Sequence, residues 1–272
     1  MIHLPTRYVI YHCIVLLALT FTHTVGASFM PKRASCACGY IDDQEHVWRE
    51  AITTDFTQSA GAIVALGNDW IIATDNEPQS GTATANIHSD VDCGEIFTDR
   101  SDILYGSFRM RAVVPTVPGV VFGFFSYKSD TQEQDIEFLS SDSDYYQHVY
   151  YTDQPGTVDG VVDTNAHKDV EINGADFTAF GEHRFDWLQT STNYYYNSAL
   201  EATITKNIPT EASEIVINVW SNGDPAFSKG PPTSNAIATI QYINLYFNST
   251  TLSEDEFEEA CDAAGNVARC VV

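Results

Sequence analysis

Tyr105-Gly-Ser-Phe-Arg-Met-Arg-Ala-Val-Val114 is the stretch that decides the fold class. Phe108, Met110, Ala112 and Val114 fall on one face of an extended chain and Tyr105, Ser107, Arg109 and Arg111 on the other, the period-two alternation of a half-buried strand. Working outward, similar short runs occupy Val120–Tyr127, Glu133–Leu139, Tyr146–Tyr151, Glu182–Leu188, Glu214–Trp220 and Thr239–Phe247, each bounded by Gly, Pro, Asn, Asp or Ser. Many short strands and almost no helix predict an all-β chain folded as an antiparallel sandwich. The exception is the tail. Ser253 and Glu256 form a capping box, Leu252 and Phe257 fit a hydrophobic staple, and Gly265 supplies a left-handed stop, which together predict a short C-terminal helix.

At the other end, Arg7 precedes an apolar run from Val9 to Phe21 that closes near Val25-Gly26-Ala27. The run is too short for a membrane span, which needs about 20 apolar residues, and reads as a secretory signal peptide over residues 1–27. Residues 28–272 are then expected to form one domain, a size usual for an all-β sandwich. The chain has 13 basic and 37 acidic residues, so removal of Arg7 leaves 12 − 37 = −25. That charge repels phosphate backbones and anionic lipid, excludes nucleic acid as a partner, and favours a neutral ligand over a polyanionic one. No long apolar tail precedes Val272, so no membrane anchor is expected.

Five cysteines follow the signal segment: Cys36, Cys38, Cys93, Cys261 and Cys270. In an oxidising route most are expected to pair, Cys261 with Cys270 as the local couple and Cys93 with Cys36 or Cys38. No C-x-x-C pair or spaced His cluster marks a zinc site, and neither a metal nor a cofactor is expected. The sequon Asn248-Ser249-Thr250 follows the last predicted strand and is a candidate surface glycosylation site.

The chemistry is concentrated in Gln132-Glu133-Gln134-Asp135-Ile136-Glu137-Phe138-Leu139. Alternation places Glu133, Asp135 and Glu137 on one face and Ile136 and Phe138 on the other. Like charges spaced about 6.6 Å along a strand repel, and acidic residues are poor strand formers, so a purely structural strand gains nothing from them. A solvated face of an acidic protein is the plainer alternative. The neighbouring Val120-Val-Phe-Gly-Phe-Phe-Ser-Tyr127 is almost wholly apolar, however, and argues for a central strand with the carboxylates in a groove. Retaining glycoside cleavage needs a nucleophilic carboxylate and an acid/base carboxyl about 5–5.5 Å apart. Glu133 and Glu137 are the candidates. Their Cα atoms lie about 13 Å apart on a straight strand, so their carboxyls converge only if the strand curves and the side chains lean together. Asp135 between them is placed to hydrogen-bond the nucleophile, and crowding keeps Glu137 protonated for its acid role.

Glu-x-Asp-x-Glu followed by Phe-Leu resembles the active-site strand of glycoside hydrolase family 16. Tyr105-Gly-Ser-Phe-Arg-Met-Arg, the apolar strand before the motif, His183-Arg-Phe-Asp-Trp187 and Asn218-Val-Trp-Ser-Asn-Gly-Asp224 resemble family segments in the same order, so the likeness spans about Tyr105 to Phe247. It implies a β-jelly roll of two antiparallel sheets with a concave cleft, of the concanavalin A-like lectin/glucanase type, with Glu133 as nucleophile, Glu137 as acid/base and Asp135 assisting. Gln134 departs from the aliphatic or aromatic residue common there and is expected to loosen the packing slightly behind the motif. Trp220 to Pro232 resembles the fungal cell-wall transglycosylases of the family, so glucan transfer, including chitin–glucan transfer, stands beside hydrolysis.

Sugar rings present apolar faces ringed by hydroxyls, so aromatic platforms with polar neighbours are the expected subsites. Trp220, which shares a strand face with Asn218, is the first candidate. Trp187 competes with a core role, and His148 and Tyr150 alternate onto one face of the strand after the motif. The expectation is a secreted, monomeric, retaining endo-β-glucan hydrolase, extracellular or in a cell wall, acting on neutral β-1,3- or mixed-linkage glucan. A non-catalytic lectin-like module is the competing class.

Overall fold

The computed structural model describes residues 14–16, 36–57, 67–72 and 91–272, with backbone alone at 14–16 and 91–93. The signal segment expected over residues 1–27 lies outside these apart from Ile14–Leu16, whose backbone pairs in parallel with Ile237–Thr239.

Two 7-stranded sheets pack face to face. In the first, Ile237–Ser249 lies between Glu50–Asp55 and Ile103–Val113, and the sheet continues through Gly181–Trp187, Thr192–Tyr196 and Ala199–Ile204. The second runs His167–Glu171, His148–Asp153, Gln132–Leu139, Val121–Ser129, Glu214–Ser221, Val91–Thr98 and Trp70–Ile72. Within the second sheet every pairing is antiparallel. This is the sandwich that the alternation predicts and the jelly roll that the resemblance implies, and the carboxylate strand Gln132–Leu139 sits inside its sheet, hydrogen-bonded on both edges.

The alternating apolar faces meet between the sheets. Phe108 and Phe185 from the first sheet pack with Phe124 from the second, at ring-centroid distances of 4.9 and 5.2 Å from Phe185. Phe122 and Phe138, paired in register within the second sheet, stack at 5.8 Å. Burying each such side chain contributes about 1.5–3 kcal/mol. The strand expected from Tyr146 begins instead at His148, because Ser140–Gln147 is spent on turns closed by backbone bonds from Asp142 to Leu139, Tyr145 to Asp142 and Gln147 to Asp144.

The tail helix spans Glu254–Ala263 and carries the capping box. The Ser253 side chain accepts from the Glu256 N–H while the Glu256 carboxylate accepts from the Ser253 N–H. The cysteine pairing corrects the expectation. Cys36 bonds Cys270 and Cys38 bonds Cys261, so the local Cys261–Cys270 couple does not form. The helix and the terminal Cys270–Val271 strand are tied to the Tyr40–Ile41 strand beside which that terminal strand pairs, and this topology, invisible in linear spacing, decides the partners. Both partners proposed for Cys93 are thereby taken, and the Cys93 side chain lies outside the described residues.

Asn248 lies within the strand Ile237–Ser249 and not after it. It is half-buried, and its Oδ1 accepts from the Arg49 N–H at 3.2 Å.

Candidate active site

Strand alternation sorts the motif as it must. Gln134, Ile136 and Phe138 point into the sandwich and are buried, while Glu133, Asp135 and Glu137 line a cleft of about 520 Å3 on the opposite face. The register across the sheet then builds the floor of that cleft in three rows. Glu137 lies opposite Gly123, Gly123 opposite Asn218, and Asn218 opposite Glu95. Asp135 lies opposite Phe125, which lies opposite Val216. Glu133 lies opposite Tyr127, which lies opposite Glu214. Trp220, one alternation beyond Asn218, completes the lining. Gly123 keeps the floor low: a Cβ there would come within 2.8 Å of Asn218 Oδ1 and 3.3 Å of the Phe125 ring.

Five of these lining residues are carboxylic acids and none is Lys or Arg. Burial pushes Glu137 up to about 7, with the charge of Glu133 adding to it. Burial likewise raises Glu133 to about 7, against a hydrogen bond from Asp135 that lowers it, and Asp130 nearby raises it further. Asp135 is held well above the usual carboxylate range by its complete burial, then by the charges of Glu133 and Glu137 on either side. Asp135 is therefore the proton holder and Glu133 the acceptor, so the middle carboxyl favours the ionised form of Glu133. One strand face thus presents two carboxyls each raised to about 7, with a more strongly raised acid between them, so that near neutrality one of the pair can be ionised while the other keeps its proton. Such a pair can attack a carbon and protonate its leaving oxygen.

Of the sugar-contact candidates, Trp220 and Asn218 stand in the cleft. The Trp220 ring stacks on Phe227 at 5.9 Å and 30°, which braces one of its faces. Asn218 Nδ2 donates to Glu95 at 3.3 Å, and its buried Oδ1 has no hydrogen-bond partner among the described residues. Tyr150 lies in register with Glu137 but its hydroxyl donates to Asp142 at 2.8 Å, and that aspartate also takes Lys229 Nζ at 2.8 Å. His148 stacks on Tyr150 at 4.7 Å and is held by Asp144 and Asp169. These two sit on the strand flanking the motif, outside the residues lining the cleft, with their polar atoms already engaged by acids. Trp187 is corrected. It is fully buried in the first sheet, its Nε1 donates to the Pro209 carbonyl at 2.9 Å, and it packs edge-on against Tyr105, so it cannot meet a ligand in the cleft.

Phe125, Tyr127, Glu214 and Val216 are further lining residues that strand alternation alone is enough to find: they share parity with Gly123, or with Asn218 and Trp220. Glu95 and Gln154 are reached only through register and turn geometry. Gln154 Nε2 donates to Asp135 Oδ2 at 2.9 Å from just beyond the flanking strand. Elsewhere, Asp42, His46 and Asp186 bring ligand atoms within 4.8 Å of one another. The Arg184 guanidinium fills that cluster, donating to both Asp186 oxygens at 2.7 Å, and supplies the positive charge there.

Residues 65–244, about two thirds of the chain, match the family model described as Glycosyl hydrolases family 16. A beta-glucanase of Bacillus subtilis (strain 168) is 31% identical over 143 residues, covering 51% of this chain and 55% of that protein. Congo red hypersensitive protein 1 of Saccharomyces cerevisiae is 23% identical over 146 residues, covering 52% of this chain and 26% of its own length. The chain spans about half the length of the beta-glucanase relatives it matches. Among solved structures, the Bacillus licheniformis beta-glucanase superposes with a TM-score of 0.52 at 19% identity, covering 73% of this chain and 98% of that one. An apo Crh5 transglycosylase superposes with a TM-score of 0.52 at 18% identity, covering 73% and 85%. At these identities the superpositions bear on the fold alone.

Proposed function

The chain belongs to glycoside hydrolase family 16, and from that premise we propose that it is a secreted retaining endo-β-glucan hydrolase acting on the β-1,3- or mixed-linkage glucan of cell walls. The observation that carries the reading is the one cleft face shared by Glu133, Asp135 and Glu137, with Glu137 raised to about 7. In the proposed reaction Glu133 attacks the anomeric carbon while Glu137 passes its proton to the departing glycosidic oxygen, leaving a covalent glycosyl-enzyme. Glu137, now a carboxylate, takes a proton from water, whose oxygen displaces Glu133 and restores both groups. Asp135 hydrogen-bonds Glu133 when its charge is present at either end of the cycle. Trp220 and Asn218 supply an aromatic face and an unpaired acceptor for a sugar and its hydroxyls. An uncharged glucan suits a cleft whose fixed charges are all of one sign.

Glucan transfer is the second reading, favoured by the loop after Trp220, whose Phe227 backs the tryptophan ring, and by the resemblance of Trp220 to Pro232 to the fungal cell-wall transglycosylases of the family. It differs only in that a sugar hydroxyl replaces water in the second step. A lectin-like module is disfavoured because sugar binding alone gains nothing from three crowded, desolvated carboxyls. The two disulfides among the described residues support passage through an oxidising compartment, hence an extracellular or cell-wall site, and N-glycosylation at Asn248 and a monomeric state belong to the same proposal. Incubation with β-1,3- and mixed-linkage oligosaccharides tests the reading. Shorter products support hydrolysis and longer ones transfer, whereas oligosaccharides bound but unaltered would leave the lectin.

A further inference from the structure

Gln154 stands just after the strand His148–Asp153 and is fixed at three points. Its backbone N–H donates to the Glu133 carbonyl at 2.9 Å, and its Oε1 accepts from the Gly156 N–H at 2.9 Å. Because Oε1 is occupied by a donor, the amide cannot turn over without setting N–H against N–H. Nε2 is therefore held as the donor toward Asp135 Oδ2, at 2.9 Å. The same short segment thus grips the strand backbone at Glu133 and the carboxyl at Asp135.

An oxygen already accepting an N–H bond is the poorer seat for a proton, since protonation weakens it as an acceptor and brings two hydrogens together. We propose that Gln154 is a positioning residue of the catalytic strand: by donating to Asp135 Oδ2 it confines the Asp135 proton to the other carboxyl oxygen, where it serves Glu133. This rests on the hydrolase reading given above for its place in catalysis, and on the Gln154–Asp135 hydrogen bond together with the raised Asp135 for the proton assignment. In the cycle it matters most when Glu133 departs from the sugar as a carboxylate, because a donor already aimed at that oxygen needs no reorganisation.

The proton assignment is read first by following the carboxyl carbons of aspartate-labelled protein by NMR across pH, with Asp135 identified through Asp135→Asn. Gln154→Ala removes a donor to the carboxylate, so the Asp135 midpoint moves up; an unmoved midpoint overturns the proposal whether or not any glucan is cleaved. Gln154→Glu provides the second variant, since it keeps the acceptor for the Gly156 N–H in both protonation states and donates to Asp135 only when protonated. Its kcat on a glucan that the wild type cleaves is expected to approach wild type at low pH. It then falls roughly ten- to hundredfold as the new carboxyl ionises, with KM little changed. A profile parallel to wild type at every pH overturns the catalytic part. A moved Asp135 midpoint in a protein that cleaves no glucan leaves the Gln154 assignment standing and removes the hydrolase reading instead.

Discussion

Gln134 and Asp153 face each other in register behind the cleft, and the Thr192 hydroxyl reaches across from the opposite sheet to lie 2.8 Å from an oxygen of each. Both are wholly buried. Gln134 Nε2 also donates to Ser126 at 3.0 Å, and Tyr194 donates to Asp153 Oδ1 at 2.6 Å. The polar residue expected to loosen the packing behind the motif instead cross-links the two sheets, with both ends of its amide satisfied. Removing one member leaves partners unpaired in the core, at about 1–3 kcal/mol per orphaned group.

Asp153 makes the stability of this fold depend on pH. Burial raises it from 3.8 to about 7, against the lowering effect of Tyr194 and Thr192. Between those values the folded state binds a proton that the unfolded state has released, so stability contributed by the neutral acid is present below about 4 and is lost as pH rises through about 7. Asp153→Asn, which cannot ionise, should flatten that part of the curve in urea melts taken from pH 4 to 8. His183, buried among Phe138, Phe177 and Tyr196 and lowered to about 3, contributes with the opposite sign in both proteins and cancels from the difference. Identical slopes for the two proteins would show that Asp153 is ionised in the fold.

The three carboxyls of the motif strand should fail in distinguishable ways. Glu133→Gln removes the attacking oxygen and is expected to lower kcat by at least about a thousandfold on every substrate. Glu137→Gln removes the proton donor, so it should spare substrates whose leaving group needs no proton, such as an activated aryl glycoside, far more than it spares glucan. Asp135→Asn keeps a donor toward Glu133 and is expected to cost less than either. Equal losses for Glu137→Gln on both substrate types would remove its acid role.

The rate itself should follow the titration of the cleft. Glu137 must be protonated, and it is raised to about 7, so kcat/KM is expected to fall on the alkaline side as pH passes through that region. Glu133 must be ionised, which sets the acid limb, and the two limbs belong to the interacting pair jointly. Because the charge of Glu133 helps hold Glu137 up, Glu133→Gln should lower the Glu137 midpoint. An NMR titration of the labelled Glu137 carboxyl that stays in place in Glu133→Gln would contradict this coupling.

Two tryptophans separate binding from folding. Trp220→Ala opens the cleft and is expected to raise KM roughly tenfold with little change in melting temperature. Trp187→Phe loses the bond to Pro209 and part of the core volume, so it should lower stability by about 1–3 kcal/mol and leave KM alone. A raised KM for Trp187→Phe below its melting temperature would return that residue to the substrate.

Alternation alone carried most of the fold and the heart of the site. Strand parity in Glu133 to Leu139 separates the cleft carboxyls from Ile136 and Phe138, and the apolar run beside it marks a central strand. The same parity in Glu214 to Trp220 places Asn218 and Trp220 correctly. What parity lacks is the partner across the sheet. Glu95 joins the cleft through its register with Asn218, Gln154 through a turn that returns to Asp135, and Trp187 leaves it because its strand lies in the other sheet. Cys36 and Cys38 meet Cys270 and Cys261 for the same reason: contacts between chain ends are set by topology, and spacing along the sequence is silent about them.

The most direct test is the anomeric configuration of the first product released when the protein cleaves a β-glucan oligosaccharide, read by proton NMR before mutarotation. Attack by Glu133 followed by water predicts the β anomer first. The α anomer first, or an oligosaccharide left whole, would contradict a nucleophilic Glu133 opposite a protonated Glu137.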